Sequence, residues 1–272
     1  MSMRLILFIT VILFGFSANP NQQDSIPAHD TFTIESSNLE ETRVINIWTP
    51  PGYSESKETL PVLYMLDGGI KEDFPHIANT VAKLVSNKSI PPMILVGIEN
   101  TERRRDLTGP SEVKADKEIA PISDGASKFR AFISEELFAE VNSRYRTNNS
   151  RGIIGESVAG LFIVETLLFK PDMFDYYIAM DPSLWWNNHN LVKTTESYLE
   201  KFPKNKVKFW FAGSSIEDIS VYTNELNIIM KSQAPSSLIW KYSDEPNEKH
   251  NTIFRATKEK ALIWVYGTNE DE

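Results

Sequence analysis

The stretch GIIGESVAG, residues 152–160, decides the fold. The β-branched pair Ile153 and Ile154 runs into Gly155, an acid, Ser157 and then small residues. The pattern predicts a buried strand over 151–155, a tight turn at Ser157 and a helix over 157–169. In a G-x-S-x-G nucleophile elbow, small residues flank the Ser at two positions before and two after it. They are needed because the turn is strained and backbones pass close by. Gly155 and Ala159 hold those positions, and Gly160 adds room. Ala159 departs from the second Gly of the pattern but stays small. By itself the short pattern also fits an ordinary strand-to-helix turn, and Glu156 receives no role from it.

Working outward, two alternating runs at 31–34 and 43–48 read as strands. The runs VLYMLD (62–67), MILVGI (93–98), YYIAMD (176–181), VKFWFAG (207–213) and SLIWKY (237–242) are apolar without alternation. Such runs suit central strands of a parallel sheet covered on both faces. Segments 125–146, 157–169 and 218–231 carry helical spacing. Strands alternating with helices predict an α/β fold, a mostly parallel central sheet with helices on both faces. No repeat or change of composition divides the chain, so residues 30–272 read as a single catalytic domain after a polar linker at 19–29. The long polar insert at 99–124 reads as an active-site loop. Within it, Arg103-Arg104-Arg105 reads as a solvated run.

A Ser hydroxyl is a weak nucleophile and needs a base, most often His, with a carboxylate to orient it. The chain has four His. Only His250, in the polar loop DEPNEKHNT after the last strand-like run, fits the chain order Ser, acid, His. The acid is expected after VKFWFAG, where Glu217 and Asp218 follow; Glu217 is preferred, because Asp218 also suits a helix start. The oxyanion of an acyl transfer needs N–H donors. One falls to Val158, directly after the Ser, and another to the loop LDGGI, where Gly68 and Gly69 allow close backbone approach.

The first eighteen residues read as a signal peptide: Arg4, an apolar run from Leu5 to Phe16, then Ser17 and Ala18. A run of about twelve residues is short for a bilayer span, so no stable membrane insertion is expected after cleavage, and a secreted or periplasmic location follows. The chain has no Cys, which excludes thiol catalysis and Cys-ligated metals. A formal charge of −9 argues against nucleic acid as a partner. No metal-site or phosphate-loop pattern occurs, and no cofactor is expected. Trp185-Trp186 reads as a packing corner or as the wall of an acyl or aryl pocket.

Taken in order, VLYMLDGG, PPMILVGIENTERRRDLTGPS, GESVAG, YYIAMDPSLWW and EKHNT resemble the putative-esterase family of α/β-hydrolases. That family includes ferric-enterobactin-type esterases, S-formylglutathione hydrolase and mycolyltransferases. The resemblance spans roughly residues 30–267. It implies Ser157 as nucleophile, His250 as base, and the N–H groups of Gly69 and Val158 as oxyanion donors. It also implies that 100–124 borders the site, which brings Asp67, Arg105 and Asp106 forward as pocket candidates with Trp185 and Trp186. The family sometimes uses a Ser-His dyad or a displaced acid. The implied activity is hydrolysis of a small-molecule carboxylic ester through an acyl-enzyme. An acyltransferase, or a non-catalytic binding relative, is the alternative on the same fold.

Overall fold

A computed structural model describes residues 24–267. The leader at 1–18 and the first part of the linker lie outside the described residues. Eight strands form one sheet: β1 (Asp30–Ser36), β2 (Glu41–Trp48), β3 (Leu60–Met65), β4 (Ile94–Ile98), β5 (Thr147–Glu156), β6 (Tyr176–Met180), β7 (Val207–Gly213) and β8 (Leu238–Asp244). Their order is β1-β2-β4-β3-β5-β6-β7-β8. The first two pairings are antiparallel and the remaining five parallel. The strand β5, which leads into Ser157, is therefore central, between β3 and β6.

The unalternating apolar runs follow from two cores. Alternate residues of one strand face opposite sides. Val62, Tyr64 and Ile153 pack into one core, while Leu63, Met65 and Ile154 pack into the other. The second core is closed by α1 (Phe74–Ser86) and by a helix near the C-terminus, Ile253–Tyr266. The first is closed by the remaining long helices, which follow in chain order.

The 99–124 insert is not irregular throughout. It holds two short helices, α2 (Arg103–Leu107) and α3 (Lys114–Ile119). The reading of 103–105 as a solvated run is corrected for Arg103 and Arg105, while Arg104 is exposed. Arg43 of β2, 0% exposed, donates to Asp106 Oδ2 at 2.6 Å, Thr101 Oγ1 at 2.6 Å and the Glu99 carbonyl at 2.9 Å. Arg105 donates to Glu41 and to Asp106, both at 2.7 Å. A buried guanidinium tolerates desolvation only with such partners. It ties the loop to β2, between β1 and β4.

The expected helix over 125–146 is a helix interrupted by a π turn. It runs as α4 (Ala126–Ala131), a π-helical turn at Phe132–Leu137, and α5 (Phe138–Arg144). After β5 comes α6 (Val158–Phe169), apolar around its whole circumference because sheet, neighbouring helices and the insert all cover it. Next are α7 (Trp186–Leu199) and α8 (Glu217–Gln233), and Ile253–Tyr266 is α9. The entry to α7 is a left-handed turn, with Asn187, Asn188 and His189 at φ 49°, 52° and 48°. Among the described residues, no helix is long and apolar enough to cross a membrane.

Candidate active site

Three strands end on sharp left-handed turns at the same edge of the sheet. Asp67 follows β3 at φ 53°, Ser157 follows β5 at φ 63°, and Asp181 follows β6 at φ 45°. Positive φ in a non-Gly residue is uncommon and strained, and it persists where surrounding structure fixes it. At Ser157 the fixing contacts are visible. Its N–H donates to the Met180 carbonyl at 2.9 Å, and its carbonyl accepts from Leu161 N–H at 2.9 Å and Ser183 N–H at 3.0 Å. The small residues have a steric cause. A Cβ on Gly155 would lie 2.7 Å from Ala159 Cβ, and one on Gly160 would lie 3.0 Å from Pro182 Cα.

His250 sits in the loop between β8 and α9. Its Nε2 is 3.0 Å from Ser157 Oγ, and its Nδ1 is 2.6 Å from Asp181 Oδ2. Asp181 is 0% exposed and also accepts from Ser214 N–H at 2.7 Å and Ser214 Oγ at 2.8 Å. The carboxylate facing His250 thus comes from the end of β6. The expectation of Glu217, or alternatively Asp218, is corrected: both are exposed in the first turn of α8, and neither bonds His250. The chain after β7 has a different job. Ser214 holds Asp181, while Ser215 N–H and Oγ bind the Glu248 carbonyl at 2.9 and 2.8 Å and so staple the His250 loop to the sheet. The hydrogen bond to Asp181 raises the proton affinity of His250 above its ordinary 6.5, against the opposing effect of burial.

On the β3 side, Val158 N–H has no acceptor among the described residues, as an oxyanion donor requires. Gly69 differs from expectation. Its N–H donates to Glu72 Oε2 at 2.7 Å, and Asn100 Nδ2 holds the other Glu72 oxygen at 2.9 Å. Asp67 is buried and paired with Arg103, whose Nε and Nη2 reach the two carboxylate oxygens at 2.5 and 2.7 Å. Arg103 Nη2 also lies 3.4 Å from the Glu156 carbonyl, next to the nucleophile. Asp106, 1% exposed, and Arg105 are engaged in the Arg43 network. Trp186 is the packing corner: it is buried and its Nε1 donates to the Gly109 carbonyl at 3.1 Å. Trp185 stays half-buried beside it, with ring centroids 6.0 Å apart. Burial pushes the Glu156 carboxyl up to about 7, and its Oε1 is buried without a partner.

Asp181, Ser183, Ser214 and Glu72 carry no role in the sequence reading, and Arg103 enters it only as part of a solvated run. The signal for Asp181 was present, an acid closing the apolar run YYIAM with Pro and Ser behind it. A cavity of about 750 Å³, lined in part by Arg130, Arg151 and Phe169, takes in none of the Ser157, His250 and Asp181 group. Among the described residues, no cluster of carboxylate and imidazole groups is arranged to hold a metal ion.

A parallel sheet carrying a Ser at a strained strand-to-helix turn, with His and Asp hydrogen-bonded in line behind it, defines an α/β-hydrolase of the serine type. The Putative esterase family matches residues 36–258, and the chain belongs to that family. It is a serine-dependent ester hydrolase. Among curated relatives it is similar to the ferri-bacillibactin esterase BesA of Bacillus subtilis, 30% identical over 66% of this chain and 67% of that one. It is also similar to the apo-salmochelin esterase of Escherichia coli O6:H1, 24% identical over 84% of this chain and 76% of that one. Among solved structures, an IroE-like serine hydrolase from Shewanella oneidensis superposes with TM-score 0.78 at 28% identity, covering 87% of this chain and 79% of that one. The BES protein of Bacillus cereus shares the fold, with TM-score 0.77 at 22% identity over 90% and 98% of the two chains.

Proposed function

We propose that the enzyme hydrolyses a siderophore ester through an acyl-enzyme on Ser157, with His250 as base and Asp181 as orienting acid. The observation that carries this reading is the unbroken hydrogen-bond line from Ser157 Oγ through His250 to Asp181, at 3.0 and 2.6 Å. The Ser157 proton passes to His250 Nε2 as Oγ bonds the ester carbon and the carbonyl π pair moves onto oxygen. His250 returns the proton to the departing alcohol, and a water activated by His250 then releases the acid. Val158 N–H receives the oxyanion. Gly69 N–H joins it once the Glu72 carboxylate moves aside. The siderophore assignment rests on relatives named as siderophore esterases.

The test has two parts. A fluorophosphonate probe is expected to tag the wild type and not Ser157→Ala; an untagged wild type would sink the serine mechanism. Chromatography of ferri- and apo-siderophore esters after incubation is expected to reveal the released acids. Turnover of p-nitrophenyl esters alone would leave the esterase and remove the siderophore. We further propose that the apolar leader directs export, which N-terminal sequencing of the mature protein checks: an uncut Met1 overturns it.

A further inference from the structure

We infer that Ser183 is a second hydroxyl of the catalytic machinery, donating its proton to Ser157 Oγ and stabilising the charge that develops there. The inference rests on the nucleophilic role proposed for Ser157. Ser183 Oγ lies 3.3 Å from Ser157 Oγ, and Ser183 is 3% exposed. A buried hydroxyl is almost always hydrogen-bonded. Among the described residues, the Ser183 hydroxyl has one partner, the nucleophile.

Counting protons fixes the direction of this bond. The Asp181 carboxylate accepts from His250 Nδ1, so Nδ1 carries the imidazole proton and Nε2 presents a lone pair. That lone pair takes the Ser157 O–H at 3.0 Å. Ser157 has no second proton to give. The contact between the two hydroxyls is therefore filled by the Ser183 O–H, with Ser157 Oγ accepting.

The consequence is a difference between ground and transition state. In the resting enzyme Ser157 Oγ is a neutral acceptor. As His250 draws its proton away, Oγ gains negative charge, and a hydrogen bond to a charged acceptor is stronger than one to a neutral acceptor. Only such a difference accelerates chemistry. In deacylation Oγ becomes the leaving group and gains charge again, so the same donor serves both halves. The backbone keeps Ser183 in place: its N–H donates to the Ser157 carbonyl at 3.0 Å, and its carbonyl accepts from Trp186 N–H at 3.2 Å. The turn Asp181-Pro182-Ser183 therefore addresses the base with its first side chain and the nucleophile with its third.

The experiment compares Ser183→Ala, Ser183→Cys, Ser157→Ala and wild type by fluorophosphonate labelling rate and by kcat and KM on a p-nitrophenyl ester, with thermal unfolding as the check on fold. Ser183→Ala is expected to lower labelling rate and kcat by about ten- to a hundredfold, the effect of one hydrogen bond to a charged group, with KM within twofold. Ser183→Cys, a weaker donor of similar size, is expected to fall between. Wild-type rates in a folded Ser183→Ala overturn the inference. If the Ala variant does not fold, a Cys variant at the wild-type rate overturns it. Failure of the wild type to label instead removes the nucleophilic role of Ser157, a separate outcome.

Discussion

His250 Nδ1 lies 2.6 Å from Asp181 Oδ2, and the two residues are 69 positions apart in the chain. Asp181 is held from its other side by Ser214, so the base is oriented by a carboxylate that is itself fixed. Asp181→Asn is expected to cost on the order of 10³–10⁴ in kcat, because the amide favours the wrong imidazole tautomer. Glu217→Gln and Asp218→Asn are expected to stay within twofold of wild type. Steady-state kinetics of the three variants on one p-nitrophenyl ester settles which carboxylate serves His250.

The pH profile follows from the sign of two shifts. His250 works as a base only when it has lost its proton, and its folded value lies above 6.5. The rise of kcat/KM with pH is therefore expected to be centred above 6.5, with activity lost below it. Burial raises the Glu156 carboxyl to about 7, so its charge is present only as pH rises through that value, and once ionised it helps to hold the proton on His250. Glu156→Gln removes that charge and is expected to move the rising limb to lower pH. A limb that stays put or moves upward would show that the two groups do not communicate.

At the elbow, Gly155→Ala places a methyl 2.7 Å from Ala159 Cβ, a distance real methyl contacts do not show. Either the first turn of α6 shifts or β5 does. A loss of about 1–3 kcal/mol in stability is expected, as for other overpacked cores, read from urea unfolding. Any shift of α6 also moves Val158 N–H, so labelling of Ser157 is expected to slow alongside.

Arg43→Met removes a guanidinium that bridges Glu41, Thr101, Asp106 and the Glu99 carbonyl. Breaking a buried ion pair from one side costs about 3–5 kcal/mol. Arg105 remains beside Asp106, so the lower end of that range is expected. Limited proteolysis should cut first within the 99–124 insert.

Much of the fold was legible because its signals are local. An apolar run without alternation marks a strand between two cores, and the elbow has a spacing of its own. Ser157 was found by that spacing, and His250 by being the one His in a loop after the last strand. Asp181 was hidden by a local signal that pointed elsewhere: it reads as the last residue of a strand, while Glu217 and Asp218 occupy the position where an acid was sought. Its role depends on the distance between the ends of β6 and β8, which spacing along the chain does not encode. Arg103 reads along the chain as part of a solvated run because its partner, Asp67, is 36 positions away. The Glu72 contact to Gly69 depends on a side-chain rotamer, which no sequence pattern specifies.

Seating the acid at the end of β6 has a consequence for how this enzyme changes over time. The start of α8 is relieved of any part in proton transfer, and Ile216 just before the helix and Val221 and Ile228 within it stand exposed. Exposed side chains of α8 can be exchanged without touching the hydrogen bonds that Ser214 and Ser215 make to Asp181 and the Glu248 carbonyl.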